Sequence, residues 1–250
     1  MARPDAAARW VRLPLEGAVN VRDIGGYPTS DGRMTAYHRF LRSDALDRLT
    51  PADEDFLYDY GVRTVIDLRG DEETALAPDR LVERPDVAYH HFSLLSGNIA
   101  DPEYLSRQLN ERISPKHVYQ TAVDNLERMG GALRAMVEAA PGCVLFHCAV
   151  GKDRTGIVAM LLMRLAGCDA DDCMANYVVS EINLRRDASF MRDYEAAEDW
   201  ERPFFESRSW ILQGAVDRIE SVYGGVVPYL RAVGLGEGEV SALRARVLGD

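Results

Sequence analysis

Val144-Leu-Phe-His147-Cys148-Ala149-Val150-Gly151-Lys152-Asp153-Arg154-Thr155-Gly156 is the stretch whose reading decides the fold, and an apolar run continues from it to Leu165. It reads as a buried strand (144 to 146), a tight loop, and a helix opening near Arg154. Ile157, Leu161, Met163 and Leu165 point that helix at a core, and Gly167 stops it. Gly151 lets the loop backbone turn where a side chain would hinder it.

The spacing carries a chemistry. A loop wound with its N–H groups inward, at a helix N-terminus, suits a phosphate-sized dianion. The same dipoles favour the thiolate of a cysteine at the base of the loop, here Cys148. Arg154, six residues on, can hold two phosphoryl oxygens bidentately, which a lysine cannot. Thr155 brings a hydroxyl near the sulfur, where it can stabilise a departing thiolate. Cys148 is then the nucleophile, and His147, Ala149, Val150, Gly151, Lys152, Asp153 and Arg154 make the phosphate loop.

His147-Cys148-x5-Arg154-Thr155-Gly156 resembles the signature of cysteine-dependent protein tyrosine phosphatases. Lys152-Asp153 directly before Arg154 is similar to the bacterial branch typified by mycobacterial protein tyrosine phosphatase B, which includes phosphoinositide-active members. The resemblance implies an α/β fold with a central, mostly parallel sheet flanked by helices. It also implies metal-independent phosphomonoester hydrolysis through a cysteinyl-phosphate intermediate, without a cofactor. Phosphotyrosine is the expected substrate, with phosphoserine, phosphothreonine and phosphoinositides open. The alternative is a non-catalytic phosphate-binding module of the same fold. A Walker-type loop is excluded, because Asp153 follows Gly151-Lys152 where Ser or Thr is needed. A rhodanese-like sulfur carrier fits Arg-Thr-Gly at a helix start poorly.

The reaction needs an acid for the leaving oxygen and later a base for water. Asp67 closes the β-branched run Val62-Arg-Thr-Val-Ile-Asp67, a central parallel strand, and so sits where open α/β sheets place ligands. The following Asp67-Leu-Arg69-x3-Glu73 matches the acid-bearing segment of the resembling family. Asp67 is the leading general acid; Asp153, inside the loop, is the rival. Lys152 either reaches a second phosphate of a phosphoinositide or neutralises Asp153.

The rest of the chain is read around this centre. Its 250 residues are expected to form one domain, 1–250. The net charge of −11 argues against nucleic-acid partners and places the positive field locally, in the loop. No apolar run is long enough for a membrane span. No apolar signal region is visible from Met1 to Arg12, so the cytoplasm is the default location, and the resemblance leaves export without such a signal open. The four cysteines have neither CxxC nor zinc spacing, so no metal is expected. Cys143 is read as a small buried residue, with a protective disulfide to Cys148 as the alternative.

Asn20-x-Arg22-Asp23-x-Gly25-Gly26 is similar to an element that packs beside the active site in the resembling family, and Arg42-Ser43 is read as structural. Asp31-Gly32 fits a hairpin turn into a strand from Met34 to Leu41. Thr50-Pro51-Ala-Asp53 starts a helix that Gly61 ends. His90-His91 alternate across a strand and are read as structural. A helix is expected from Val118 to Ala140, kinked at Gly130-Gly131. Residues 93–117 are polar and rich in breakers, with a helix near Pro102 to Arg112, and the resemblance implies a variable insert there. Residues 180–210, with Trp200, Phe204, Phe205 and Trp210, are read either as core-packing helices or, as the resembling branch implies, as a helical lid.

Overall fold

The structure, a computed structural model, describes residues 12–95 and 115–250. The expectations for residues 1–11 and for 96–114, most of the insert, lie outside them.

One sheet holds five strands in the order β1-β2-β5-β3-β4. They are β1 Arg22–Asp23, β2 Phe40–Ser43, β3 Val62–Asp67, β4 Ala88–His91 and β5 Cys143–His147. Strand β1 is antiparallel to β2, and the other three pairings are parallel. Strand β5 is buried throughout and β3 nearly so, as strands covered on both faces must be. The register aligns Ser43 and Asp67 with His147, one from each neighbour of β5. That row is the C-terminal edge of the sheet, beyond which open α/β sheets hold ligands.

The helices are α1 Pro51–Tyr60, α2 Asp71–Leu76, α3 Pro115–Asp124, α4 Leu126–Glu138, α5 Asp153–Ala166, α6 Ala170–Leu184, α7 Ala188–Ala196, α8 Arg202–Phe205, α9 Ser209–Arg218, α10 Val226–Ala232 and α11 Glu237–Leu248. Alternation along the strands feeds two cores. Leu41, Val65 and Leu145 pack with Leu46, Leu49 and Leu57 on one face. Phe40, Ile66, Val144 and Phe146 join Ile157, Leu161, Met129, Leu133 and Ile211 on the other. Helix α5 is apolar nearly all round and correspondingly buried. None of the described helices is long and apolar enough to cross a membrane.

Local signals explain the element ends. Thr50 accepts from the Asp53 N–H at 3.2 Å, Asp53 accepts from the Thr50 N–H at 3.0 Å, and Gly61 closes α1 at φ 109°. Several expectations need correction. The helix expected from Val118 to Ala140 is two, α3 and α4, parted at Asn125. Gly130-Gly131 do not kink it; a Cβ on Gly130 would lie 2.0 Å from the Val233 carbonyl oxygen, and one on Gly131 2.7 Å from the Phe92 ring. These glycines permit close approach. The strand expected from Met34 begins only at Phe40, leaving the isolated Pro28–Met34 bridge. A Cys143–Cys148 disulfide is ruled out: an extended strand separates their Cα atoms by roughly 16 Å, and a disulfide spans at most about 7 Å.

Candidate active site

Cys148 lies buried just past the end of β5, and the loop from it to Lys152 leads into the N-terminus of α5. At φ 65° Gly151 takes a backbone conformation that suits glycine. Its own position is also crowded, since a Cβ there would meet the Ser43 carbonyl oxygen at 2.3 Å. The loop is thus pressed onto the end of β2.

Arg154 is buried, in the first turn of α5. Glu73 of α2 takes both of its terminal nitrogens, Nη1 to Oε2 at 2.5 Å and Nη2 to Oε1 at 2.9 Å. Glu73 Oε2 also accepts from the Gly70 N–H at 2.6 Å, which closes the start of α2 and fixes the carboxylate. Burial opposes the Arg154 charge, but Cys148 and Glu73 outweigh it and raise its pKa. Burial likewise opposes ionised Glu73, and Arg154 outweighs it. Arg154 Nε and Thr155 Oγ1 are buried without a hydrogen-bond partner among the described residues. Orphaned buried groups of this kind cost about 1–3 kcal/mol each. The arrangement can offer an oxyanion a donor from a guanidinium whose other edge is already held.

Asp67 ends β3, where the strand pattern puts it, but its carboxylate is fully engaged. Arg69 Nε approaches Oδ1 at 3.1 Å and Oδ2 at 3.0 Å, Arg69 Nη2 reaches Oδ2 at 2.7 Å, and the Tyr89 hydroxyl donates to Oδ2 at 2.8 Å. Burial would raise its pKa; His147 and Arg69 outweigh burial and hold it well below the carboxylate range. Four donor contacts from Arg69 and Tyr89 thus favour its ionised form.

His147 is buried between two such groups. Its Nε2 lies 3.0 Å from Asp79 Oδ2 and 3.7 Å from Asp67 Oδ2. Asp67, Asp79 and His147 together have ligand atoms close enough for a cation. The chemistry of the donor set argues for a charge network instead, because Arg69 already forks onto both oxygens of Asp67. His147 therefore braces the loop's entry, and His91 Nε2 braces Arg69 through its carbonyl at 2.7 Å.

Asp153 opens α5 and is partly exposed, with 14% of its side chain accessible, where Asp67 has none. Its Oδ1 accepts the hydroxyl of Tyr119, from α3, and that hydroxyl lies 2.7 Å from the hydroxyl of Tyr177 in α6. Lys152 Nζ stands 3.2 Å from the same Oδ1. Of the two readings of Lys152, this geometry matches the pairing with Asp153. Its ammonium is buried and also donates to the carbonyls of Phe204 at 2.6 Å and Glu206 at 2.9 Å. Two carbonyls take two of the three donors an ammonium has, and the Asp153 carboxylate pairs with its charge.

Those carbonyls belong to the stretch expected to cover the site. Helices α7 and α8 meet through Phe190, Tyr194 and Phe205, while Phe204 packs against the main core. Asp187, at the start of α7, is paired with Arg48 at 2.5 Å. Trp200 and Trp210 stay exposed. Sequence reasoning missed Glu73 as the partner of Arg154, as well as Asp79 and Tyr119. Glu73 had a signal, its place three residues into a helix; nothing local marks Tyr119.

The sequence model of the tyrosine phosphatase family matches residues 13–249. A tyrosine-protein phosphatase from Nostoc commune is 32% identical over 217 residues, covering 83% of this chain and 74% of its own. The triple specificity protein phosphatase PtpB of Mycobacterium tuberculosis is 27% identical over 277 aligned positions, covering 94% of this chain and 98% of its own. Among solved structures, P. aeruginosa TpbA is 17% identical and aligns over 84% of this chain and 96% of its own, with a TM-score of 0.38.

Proposed function

The chain belongs to the tyrosine phosphatase family, and on that basis we propose that it hydrolyses phosphotyrosine through a cysteinyl-phosphate intermediate on Cys148. The observation that carries this is the loop itself: a buried cysteine at its base, a helix N-terminus at its end, and Arg154 held by Glu73. The Cys148 thiolate attacks phosphorus as the bond to the leaving oxygen breaks. Arg154 and the loop N–H groups hold the equatorial oxygens. Water then attacks phosphorus and releases the sulfur, which Thr155 Oγ1 stabilises.

Asp153 takes the acid's part in this proposal, in place of Asp67. It is partly exposed at the loop, and among the described residues Tyr119 and Lys152 contact it through Oδ1 alone. It protonates the leaving oxygen and then accepts a proton from water. Asp67 instead holds Arg69 and His147 behind the loop. Helices α7 and α8 are a cover anchored to the loop by Lys152.

The test is phosphate release in the presence of chelator, by wild type and Cys148→Ser, from a phosphotyrosine peptide, a phosphoserine peptide and mono- and bis-phosphorylated phosphoinositides. Turnover of the tyrosine peptide that is lost in the variant is expected. Phosphate binding without turnover would favour the non-catalytic reading, and turnover that survives Cys148→Ser would overturn the covalent route.

A further inference from the structure

A loop that binds a dianion through N–H groups must turn its carbonyls the other way, because the two ends of a trans peptide plane point in opposite directions. Here those outward carbonyls are buried against the rest of the protein, and buried carbonyls need partners. All four from Ala149 to Lys152 have one. The Ala45 N–H donates to the Ala149 carbonyl at 2.9 Å. Asn20 Nδ2 donates to Val150 at 2.9 Å and to Gly151 at 3.2 Å. Arg42 Nη2 donates to Gly151 at 2.7 Å and to Lys152 at 3.4 Å.

Each of these contacts fixes one peptide plane from outside. Together they aim the N–H groups of Val150, Gly151, Lys152 and Asp153 the opposite way, into the loop. The two side chains that do this are themselves locked. Asn20 Oδ1 accepts from Arg22 Nη1 at 2.6 Å and from Asn183 Nδ2 at 3.3 Å, which sets the amide with its NH₂ toward the loop. Arg22 continues to the Asn176 carbonyl at 2.7 Å and Ser180 Oγ at 2.9 Å on α6. Asn176 Oδ1 holds Arg42 Nη1 at 2.6 Å. Both arginines are fully buried, and every acceptor just named is uncharged. Burying two guanidinium groups this way is costly, and a loop built for a thiolate and a phosphate dianion gives it a purpose.

We infer that Asn20 and Arg42 are positioning residues of the phosphate cradle: they act through the peptide planes of residues 150–153 and never touch the substrate. This rests on the phosphatase reading and accounts for Asn20-x-Arg22 and for Arg42, whose part in the site is not visible in the sequence.

The experiment compares wild type, Asn20→Asp and Arg42→Lys. Asn20→Asp keeps the shape but turns a donor facing two carbonyls into an acceptor. Arg42→Lys keeps the charge but cannot serve Asn176 and the loop with the same geometry. Three quantities are read for each: the melting temperature without ligand, the affinity for inorganic phosphate by calorimetry, and kcat and KM on an aryl phosphate. The expected result is about a tenfold weaker phosphate affinity, the equivalent of losing a hydrogen bond or two, with a lower kcat. A merely structural role would lower the melting temperature and leave phosphate affinity alone. Folded variants that bind phosphate as wild type does overturn the inference. If a variant does not fold, Asn20→Ser, which is smaller and carries no charge, is put to the same measurements with the same expectation. A wild type that neither binds phosphate nor turns over the aryl ester would sink the phosphatase reading, and this inference with it.

Discussion

Glu73 and Arg154 meet end to end, two carboxylate oxygens against two terminal guanidinium nitrogens, with both side chains nearly inaccessible. The pair leaves Arg154 Nε as the guanidinium edge with no partner among the described residues. Glu73→Gln keeps one acceptor and lets the guanidinium swing, so kcat/KM should fall on the order of a hundredfold, the scale of a misplacement near 1 Å. Glu73→Ala strands a buried charge and should also cost about 3–5 kcal/mol in stability, read by denaturant unfolding. Wild-type activity in Glu73→Gln would show that Arg154 needs no such holder.

The choice between the two acids is separable by leaving group. Asp153→Asn should lose about 10²- to 10⁴-fold on a phenyl phosphate and far less on a nitrophenyl ester, whose oxygen leaves without help. Asp67→Asn should depress both substrates alike and lower the melting temperature, because it loosens Arg69 and His147. The opposite pattern would return the acid's part to Asp67.

Stability should depend on pH through His147. Burial opposes its charge, but Asp67 and Asp79 outweigh burial and raise its pKa above the ordinary value. The folded ring thus holds its proton more tightly than the unfolded one. Its contribution is complete below about pH 6.5 and is lost as pH rises through the raised folded value. Asp79→Asn keeps the Oδ1 that accepts from the Leu81 N–H at 2.9 Å and removes the charge. It should therefore destabilise the protein more near about pH 6 than near about pH 9. Equal losses in melting temperature at both would mean that the His147–Asp79 contact carries no charge.

Lys152 should matter for the cover and not for counting phosphates. Lys152→Met removes the ties to the Phe204 and Glu206 carbonyls. Limited proteolysis within residues 188–206 should quicken severalfold, and activity on the phosphotyrosine peptide should fall, with any turnover of mono- and bis-phosphorylated phosphoinositides falling by one common factor. A loss confined to the bis-phosphorylated lipid would put the ammonium on the substrate.

Elements whose ends are set by local chemistry are legible in the sequence. Thr50, Pro51 and Gly61 bound α1 where capping requires, and the β-branched run before Asp67 is the central strand β3. The loop from Cys148 to Arg154 is legible because its spacing is itself the chemistry. What is not legible is what distant elements supply. The position of Asp67 at the end of β3 is legible, but the Tyr89 hydroxyl of β4 and the Arg69 fork that engage its carboxylate are not. Lys152 is read either as a phosphate ligand or as the partner of Asp153, and the sequence does not show that the chain returns 50 residues later with two carbonyls for it. Gly130-Gly131 looks like a kink because the Val233 carbonyl and the Phe92 ring that need the room are remote in sequence.

The most direct test of the central claim is to quench wild type and Asp153→Asn in acid within milliseconds of mixing with nitrophenyl phosphate, whose oxygen leaves without the acid, then weigh the peptide that carries Cys148. The account predicts one added phosphoryl group on that cysteine, more of it in Asp153→Asn, where the step that frees it is slowed. Turnover with no phosphoryl group on Cys148 at any quench time would contradict it.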